Sequence, residues 1–177
     1  MIVIPQLGQL EEDDEFDNWL RSDPISVNVL GGGEFVFTLE DYMEDEKKEE
    51  FHQAIENILS VNETILKQAQ DNIYRYYTDA NRHDEPGDSW YVEIGSPEEV
   101  WNHIQFMDVI TVKRRPYRDE LIYIDVECGC NWEQEHGLQI VFKQGLSVNK
   151  VGPYDGHLTN SDAYGKQELE NVVYHSV

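Results

Sequence analysis

The chain alternates between two hydrophobic periods. Ile25, Val27 and Val29 sit every second residue, Gly31-Gly32-Gly33 interrupts, and Phe35, Phe37 and Leu39 resume the alternation. A period of two with a glycine turn between predicts a β-hairpin. Past Asp41 the spacing changes to three and four, with Phe51, Ile55, Ile58, Ile65, Ala69, Ile73 and Tyr76 separated by charges. That period predicts one long amphipathic helix over about Glu44 to Tyr77, acid-rich at its start as the helix dipole favours. Asn81 through Ser89, with Pro86-Gly87-Asp88, reads as a loop, and Trp90 to Ile94 as a short element. Ser96-Pro97-Glu98-Glu99 has the order of a helix start: hydroxyl, proline, then acids. Period two returns in Asp108–Lys113, Leu121–Cys128, Leu138–Phe142 and Leu146–Val151, which predicts four strands in an antiparallel meander. Residues 1–24 read as an exposed acidic lead-in pinned by Trp19, and residues 166–177 as a loosely ordered tail.

The resulting expectation is a single α+β domain spanning 1–177: an antiparallel sheet with one long amphipathic helix and a short second helix. A helix on one face of such a sheet satisfies both amphipathic elements at once. Length agrees, since 177 residues suit one core. Apolar residues make up 40% of the chain, enough to exclude wholesale disorder.

Charge narrows the partners. Thirteen Lys and Arg against 36 Asp and Glu give a formal net charge of -23, a field that repels nucleic-acid backbones and anionic membranes. No basic leader or long apolar run is present, and the two cysteines lie two apart on one expected strand, poorly placed to bridge each other. A cytoplasmic location with reduced thiols is the expectation.

Chemistry concentrates in Cys128-Gly129-Cys130-Asn131-Trp132-Glu133-Gln134-Glu135-His136-Gly137, answered by Tyr154-Asp155-Gly156-His157. Cys128, Cys130, His136 and His157 are the residue types of a Cys2His2 zinc set, although paired zinc cysteines usually have two to four residues between them. Glu133, Glu135 and Asp155 could hold a hard cation, and Glu135 with His136 could act as an acid/base pair. The bland reading makes Cys128 a packing residue and the acids part of a solvated turn. No phosphate loop, dinucleotide fingerprint, nucleophile elbow or zinc-protease motif occurs. The basic cluster Lys113-Arg114-Arg115 with Arg118 is expected to neutralise local acids. No catalytic residue is assigned, and no cofactor beyond the zinc alternative.

The run from Asp125 to Phe142, together with Val151-Gly152-Pro153-Tyr154-Asp155-Gly156-His157-Leu158-Thr159, is similar to the signature of a bacterial domain family of unknown function. Ile4-Pro5-x-x-Gly8, Tyr117-Arg118 and Asp162-Ala163-Tyr164 extend the resemblance over most of the chain. It implies no activity. By analogy, small acidic cytoplasmic domains of this kind are common among bacterial toxin-immunity proteins. The leading expectation is therefore a binding protein, an immunity protein or inhibitor, that occludes a basic partner such as a toxin or nuclease domain. Its expected contact residues are Glu11, Glu12, Asp13, Asp14, Glu15, Asp17, Trp19, Glu44, Asp45 and Glu46, with Tyr74, Tyr77 or Trp90 as further aromatic anchors. A metal-dependent module at the Cys128 to His157 residues and a nucleic-acid mimic are the alternatives.

Overall fold

A computed structural model describes residues 2–14 and 16–176. Among the described residues nine strands form one sheet: β1 (Ile2–Ile4), β2 (Gly8–Glu12), β3 (Trp19–Ser22), β4 (Ile25–Val27), β5 (Gly33–Glu40), β6 (Ile104–Arg114), β7 (Ile122–Cys130), β8 (Leu138–Lys143) and β9 (Ser147–Gly152). Their order is β1-β2-β3-β5-β6-β7-β8-β9, with β4 paired to β5 off this path. The domain is α+β with a mostly antiparallel sheet, as the alternating periods predict. One pair departs from the expected antiparallel arrangement: β5 and β6 run parallel, Phe37 opposite Ile110. Parallel neighbours require a long crossover, and the helices occupy it.

The single helix expected over Glu44 to Tyr77 is two: α1 (Lys48–Ser60) and α2 (Lys67–Ala80). Val61 takes an extended conformation, and the Asn62 side chain accepts a hydrogen bond from the Thr64 amide at 2.9 Å, capping a short 3-10 turn. A side chain competing for backbone N–H groups ends one helix and starts the next. The apolar period hides the break because Ile58 and Ile65, seven residues apart, are both buried. The proline-led segment after Ser96 is also more tightly wound than expected, a 3-10 helix over Pro97–His103. Residues 90–94 form no regular element, but the Tyr77 hydroxyl donates to the Val92 carbonyl and accepts from the Ile94 amide, which ties them to α2.

The residues expected as an exposed lead-in supply β1, β2 and β3, burying Ile4, Leu10 and Leu20. The C-terminal segment, expected to be loose, is docked. Leu169 and Tyr174 are buried, Val151 N–H donates to the Val173 carbonyl at 2.7 Å, and a short helix α3 (Asn160–Tyr164) precedes it.

The main core lies between the sheet and α1 and α2, built from Phe37, Leu39, Ile110, Val112, Ile124, Val126 and Ile140 against Phe51, Ile55, Ile58 and Ile73. The opposite face of β7 and β8 carries a smaller cluster of Tyr123, Val141 and Leu158. Polar residues accompany it there, among them Asp125, Gln139 and Lys150.

Candidate functional site

The Cys128–Gly137 motif comprises the end of β7 and its connection to β8, and its side chains are divided between core and turn. Trp132 is buried, with Tyr76 and Tyr77 of α2 meeting its ring edge-on at centroid distances of 6.1 and 6.0 Å. Glu133 turns back on its own loop: its carboxylate accepts from the amides of Glu135 at 3.2 Å and His136 at 2.8 Å. Tyr76 completes the closure by donating to the Gly137 carbonyl at 3.0 Å. Gly137 itself has φ +64, and a Cβ there would collide with the Cys128 carbonyl oxygen. Only glycine fits so close an approach.

The four zinc-type residues do not converge. Cys128 and Cys130 point into the core from β7, whereas His136 and His157 are exposed. Burial, with the neighbouring Cys130, Asp125 and Glu127 adding to it, pushes the Cys128 thiol well up. Burial also pushes Cys130 up to about 12, although its thiol donates to the Glu133 carbonyl at 3.2 Å. Both sulfurs are therefore held as thiols, the form that is not nucleophilic. Among the described residues, one group of donors lies within a common 4.8 Å: Glu133, Glu135 and His136. Asp155 is not in it; its carboxylate is 2.6 Å from Lys150 Nζ. The Glu133 oxygens are already engaged by backbone N–H groups, so this group is explained as a turn cap.

The basic cluster neutralises acids, as its sequence context suggests. Arg114 bonds Asp45 at 2.6 Å and Glu50 at 2.5 Å, fixing the start of α1 to the end of β6. Arg115, fully buried, binds Asp162 at 2.7 Å and Glu170 at 2.5 Å. Asp45, expected as a partner contact, is thus committed within the fold.

Of the remaining acidic candidates, Glu12, Asp13 and Asp17 line one cavity, whereas Glu44 lines another beside Asp45, Lys113 and Arg114, and Glu11 pairs with Arg21. β3 and β5 are antiparallel neighbours with Trp19 opposite Glu40, which brings the 11–17 block beside the 40–46 block. A cavity of about 550 Å³ opens there, lined by Glu12, Asp13, Phe16, Asp17, Trp19 and Met43 among others. Phe16 and Trp19 pack with ring centroids 4.9 Å apart, and Phe16 and Met43 are each about half exposed, at 53% and 49%. Asp13 organises the turn, accepting from the Phe16 amide at 3.1 Å and approaching Arg21 at 4.0 Å. Asn18 turns the chain with φ 66. Glu11, Asp14, Glu44 and Glu46 are exposed, and Glu15 lies outside the described residues. Phe16 and Met43 are additions to the expected contact set; the signal for both was an apolar residue embedded in an acidic run. Tyr74 and Tyr77, expected as possible anchors, are half-buried and bonded to the Ile94 and Val92 carbonyls, whereas Trp90 remains exposed.

The fold and this surface define the class: an α+β domain with a structural signature turn and an acidic, aromatic-lined surface cavity. The chain belongs to the family described as a domain of unknown function (DUF6985), whose model matches residues 6–158. No curated protein and no solved structure matches it. Among the described residues, no helix is long and apolar enough to cross a membrane.

Proposed function

We propose that the chain is an acidic binding protein, an immunity or inhibitor protein that occludes a basic partner such as a toxin or nuclease domain. The observation that carries this reading is the pairing of Trp19 with Glu40, which sets Met43 beside Phe16 and Trp19 among the carboxylates of Glu12, Asp13 and Asp17. Carboxylates at such a surface steer a cationic partner to it and reject acidic competitors. Half-exposed apolar side chains among them supply the desolvated contact that charge alone does not. An aromatic pair beside carboxylates also suits lysine and arginine side chains, which stack on ring faces while pairing with acids.

The test is co-purification from the native host with low-salt capture and high-salt release, using the whole chain and a triple variant, Glu12→Gln, Asp17→Asn and Phe16→Ala. The expected result is a basic protein retained by the wild-type chain, released by salt, and lost from the variant while its fold is unchanged. Retention of acidic or neutral proteins alone, or equal retention by the variant, overturns the reading.

A further inference from the structure

The polar face of β7, β8 and β9 holds a chain of hydrogen bonds that no binding role for the acidic surface uses. Asp125 lies inside it, 5% exposed. Its Oδ2 accepts from Gln139 Nε2 at 2.8 Å, and Lys113 Nζ stands 3.8 Å away. Its Oδ1 is buried and has no hydrogen-bond partner among the described residues. The Gln139 Oε1 atom accepts from Lys150 Nζ at 2.6 Å, and Lys150, also buried, donates onward to Asp155 at 2.6 Å. The relay therefore runs from an interior carboxylate to the rim.

Its outer end belongs to residues 153–159, which cross this face between β9 and α3. Lys113 Nζ donates to the Gly156 carbonyl at 3.3 Å, Asn149 Nδ2 to the Leu158 carbonyl at 2.9 Å, and Leu158 packs on Tyr123 and Val141. The segment is held by a few specific contacts over a carboxylate with one unsatisfied oxygen. An ionised carboxylate with a bare oxygen shielded from water is costly, whereas a proton on that oxygen removes the charge. Lifting the segment would hydrate the oxygen and favour ionisation.

We propose that residues 153–159 form a strap over Asp125 whose closure is coupled to protonation of that carboxyl, so that acid tightens the strap and loss of the proton loosens it. The coupling is reciprocal: whatever closure does to proton binding, proton binding does to closure. Burial raises Asp125, Lys113, Gln139 and Lys150 oppose the rise, and Glu127 adds to it. The charged and titratable groups facing this site are Lys113 from β6, Glu127 from β7, Lys150 from β9, Tyr154, Asp155 and His157 from the strap, and Glu40 from β5. Because the strap carries its own imidazole, the control is removal of the Asp125 proton site, not a change of pH alone.

Hydrogen exchange of the whole chain, followed by mass spectrometry between about pH 4 and 8 and referred to intrinsic rates, reads strap closure. Protection over 153–159 should fall several-fold from the acid to the alkaline end in the wild type and should lose that dependence in Asp125→Asn. Identical profiles in the two proteins, or a flat wild-type profile, overturn the proposal. Should Asp125→Asn fail to fold, carboxyl-carbon NMR titration of Asp125 in the wild type and Asn149→Ala, which removes the bond to the Leu158 carbonyl without changing a charge, decides the matter. A lower midpoint in the loosened variant supports the coupling, and an unchanged midpoint rejects it.

Discussion

Arg115 and Glu170, 55 residues apart in sequence, are joined by two hydrogen bonds, Nη1 to Oε1 at 2.5 Å and Nη2 to Oε2 at 3.0 Å. The same guanidinium forks onto Asp162 at 2.7 and 2.8 Å and reaches the Thr159 and Ser161 hydroxyls at 3.2 Å each. One fully buried arginine thereby fastens α3 and the C-terminal segment to the loop after β6. Removing it leaves Asp162 and Glu170 with only the half-exposed Arg118, at 3.4 and 4.0 Å, as a cation. Arg115→Ala should cost about 3 kcal/mol in urea unfolding, because breaking one side of a buried pair leaves the other poorly compensated, Arg118 offsetting part of the loss. Arg115→Lys should rescue little, since an ammonium cannot span both carboxylates in the bidentate geometry. Wild-type stability in Arg115→Ala would show that the segment is held by Leu169 and Tyr174 alone.

The same contact sets an acid dependence. The Arg115 hydrogen bonds hold the Glu170 carboxyl down at about 2 against an ordinary 4.5, burial opposes this, and Ser161 with the charges of Arg115 and Arg118 reinforces it. The folded value lies below the unfolded one, so between them the unfolded chain binds more protons. The contribution is fully present above about pH 4.5 and is lost as pH falls through about 2. Urea midpoints measured downward from pH 5 should therefore decline, and Glu170→Gln should show a shallower decline.

The turn from β8 to β9 makes a steric prediction. Gln144 and Gly145 both have positive φ, 52 and 68, the conformation of a tight hairpin turn. A Cβ on Gly145 would strike the Ala54 carbonyl oxygen and lie 2.9 Å from the Ile58 amide nitrogen, both in α1. The helix backbone cannot yield as a side chain would. Gly145→Ala should cost at least about 2 kcal/mol, combining strain and overpacking. Gly156→Ala is the comparison: φ is 76, but its Cβ would meet nothing within 4 Å, so only backbone strain applies. Equal losses in the two variants would mean that α1 does not seat on this turn.

What the sequence discloses follows from how local each signal is. Ile122, Ile124 and Val126 alternate because one face of β7 meets the helices, and the register with Phe142 and Ile140 of β8 follows the same alternation. The N-terminal strands are obscure because β2, Gly-Gln-Leu-Glu-Glu, buries Leu10 alone amid exposed neighbours. A single buried position carries no period. The Asn62 break is obscure for the opposite reason, since the apolar period runs through it. The candidate surface was half legible: its acids, Glu12, Asp13 and Asp17, stand in one visible block, but the approach of Met43 depends on the non-local pairing of β3 with β5. Likewise Asp162 and Glu170 resemble solvated tail residues until Arg115 is placed between them.

The thiols discriminate between structural and chemical readings of the signature turn. Cys128 and Cys130 are 1% and 5% exposed, and burial raises both, Cys130 to about 12. A thiol needs both access and a thiolate to react with a disulfide reagent. Ellman titration at pH 8 should accordingly find almost no fast-reacting sulfur in the folded chain and two per chain in denaturant. Trp132→Phe should keep the thiols silent, because the smaller ring still packs between Tyr76 and Tyr77. Trp132→Ala should open the cavity beside them, cost about 3–5 kcal/mol, and let exchange of the turn expose Cys130 to the reagent. Rapid modification of either cysteine in the native wild type, or chelator-sensitive protection of them, would place the pair in chemistry instead of packing.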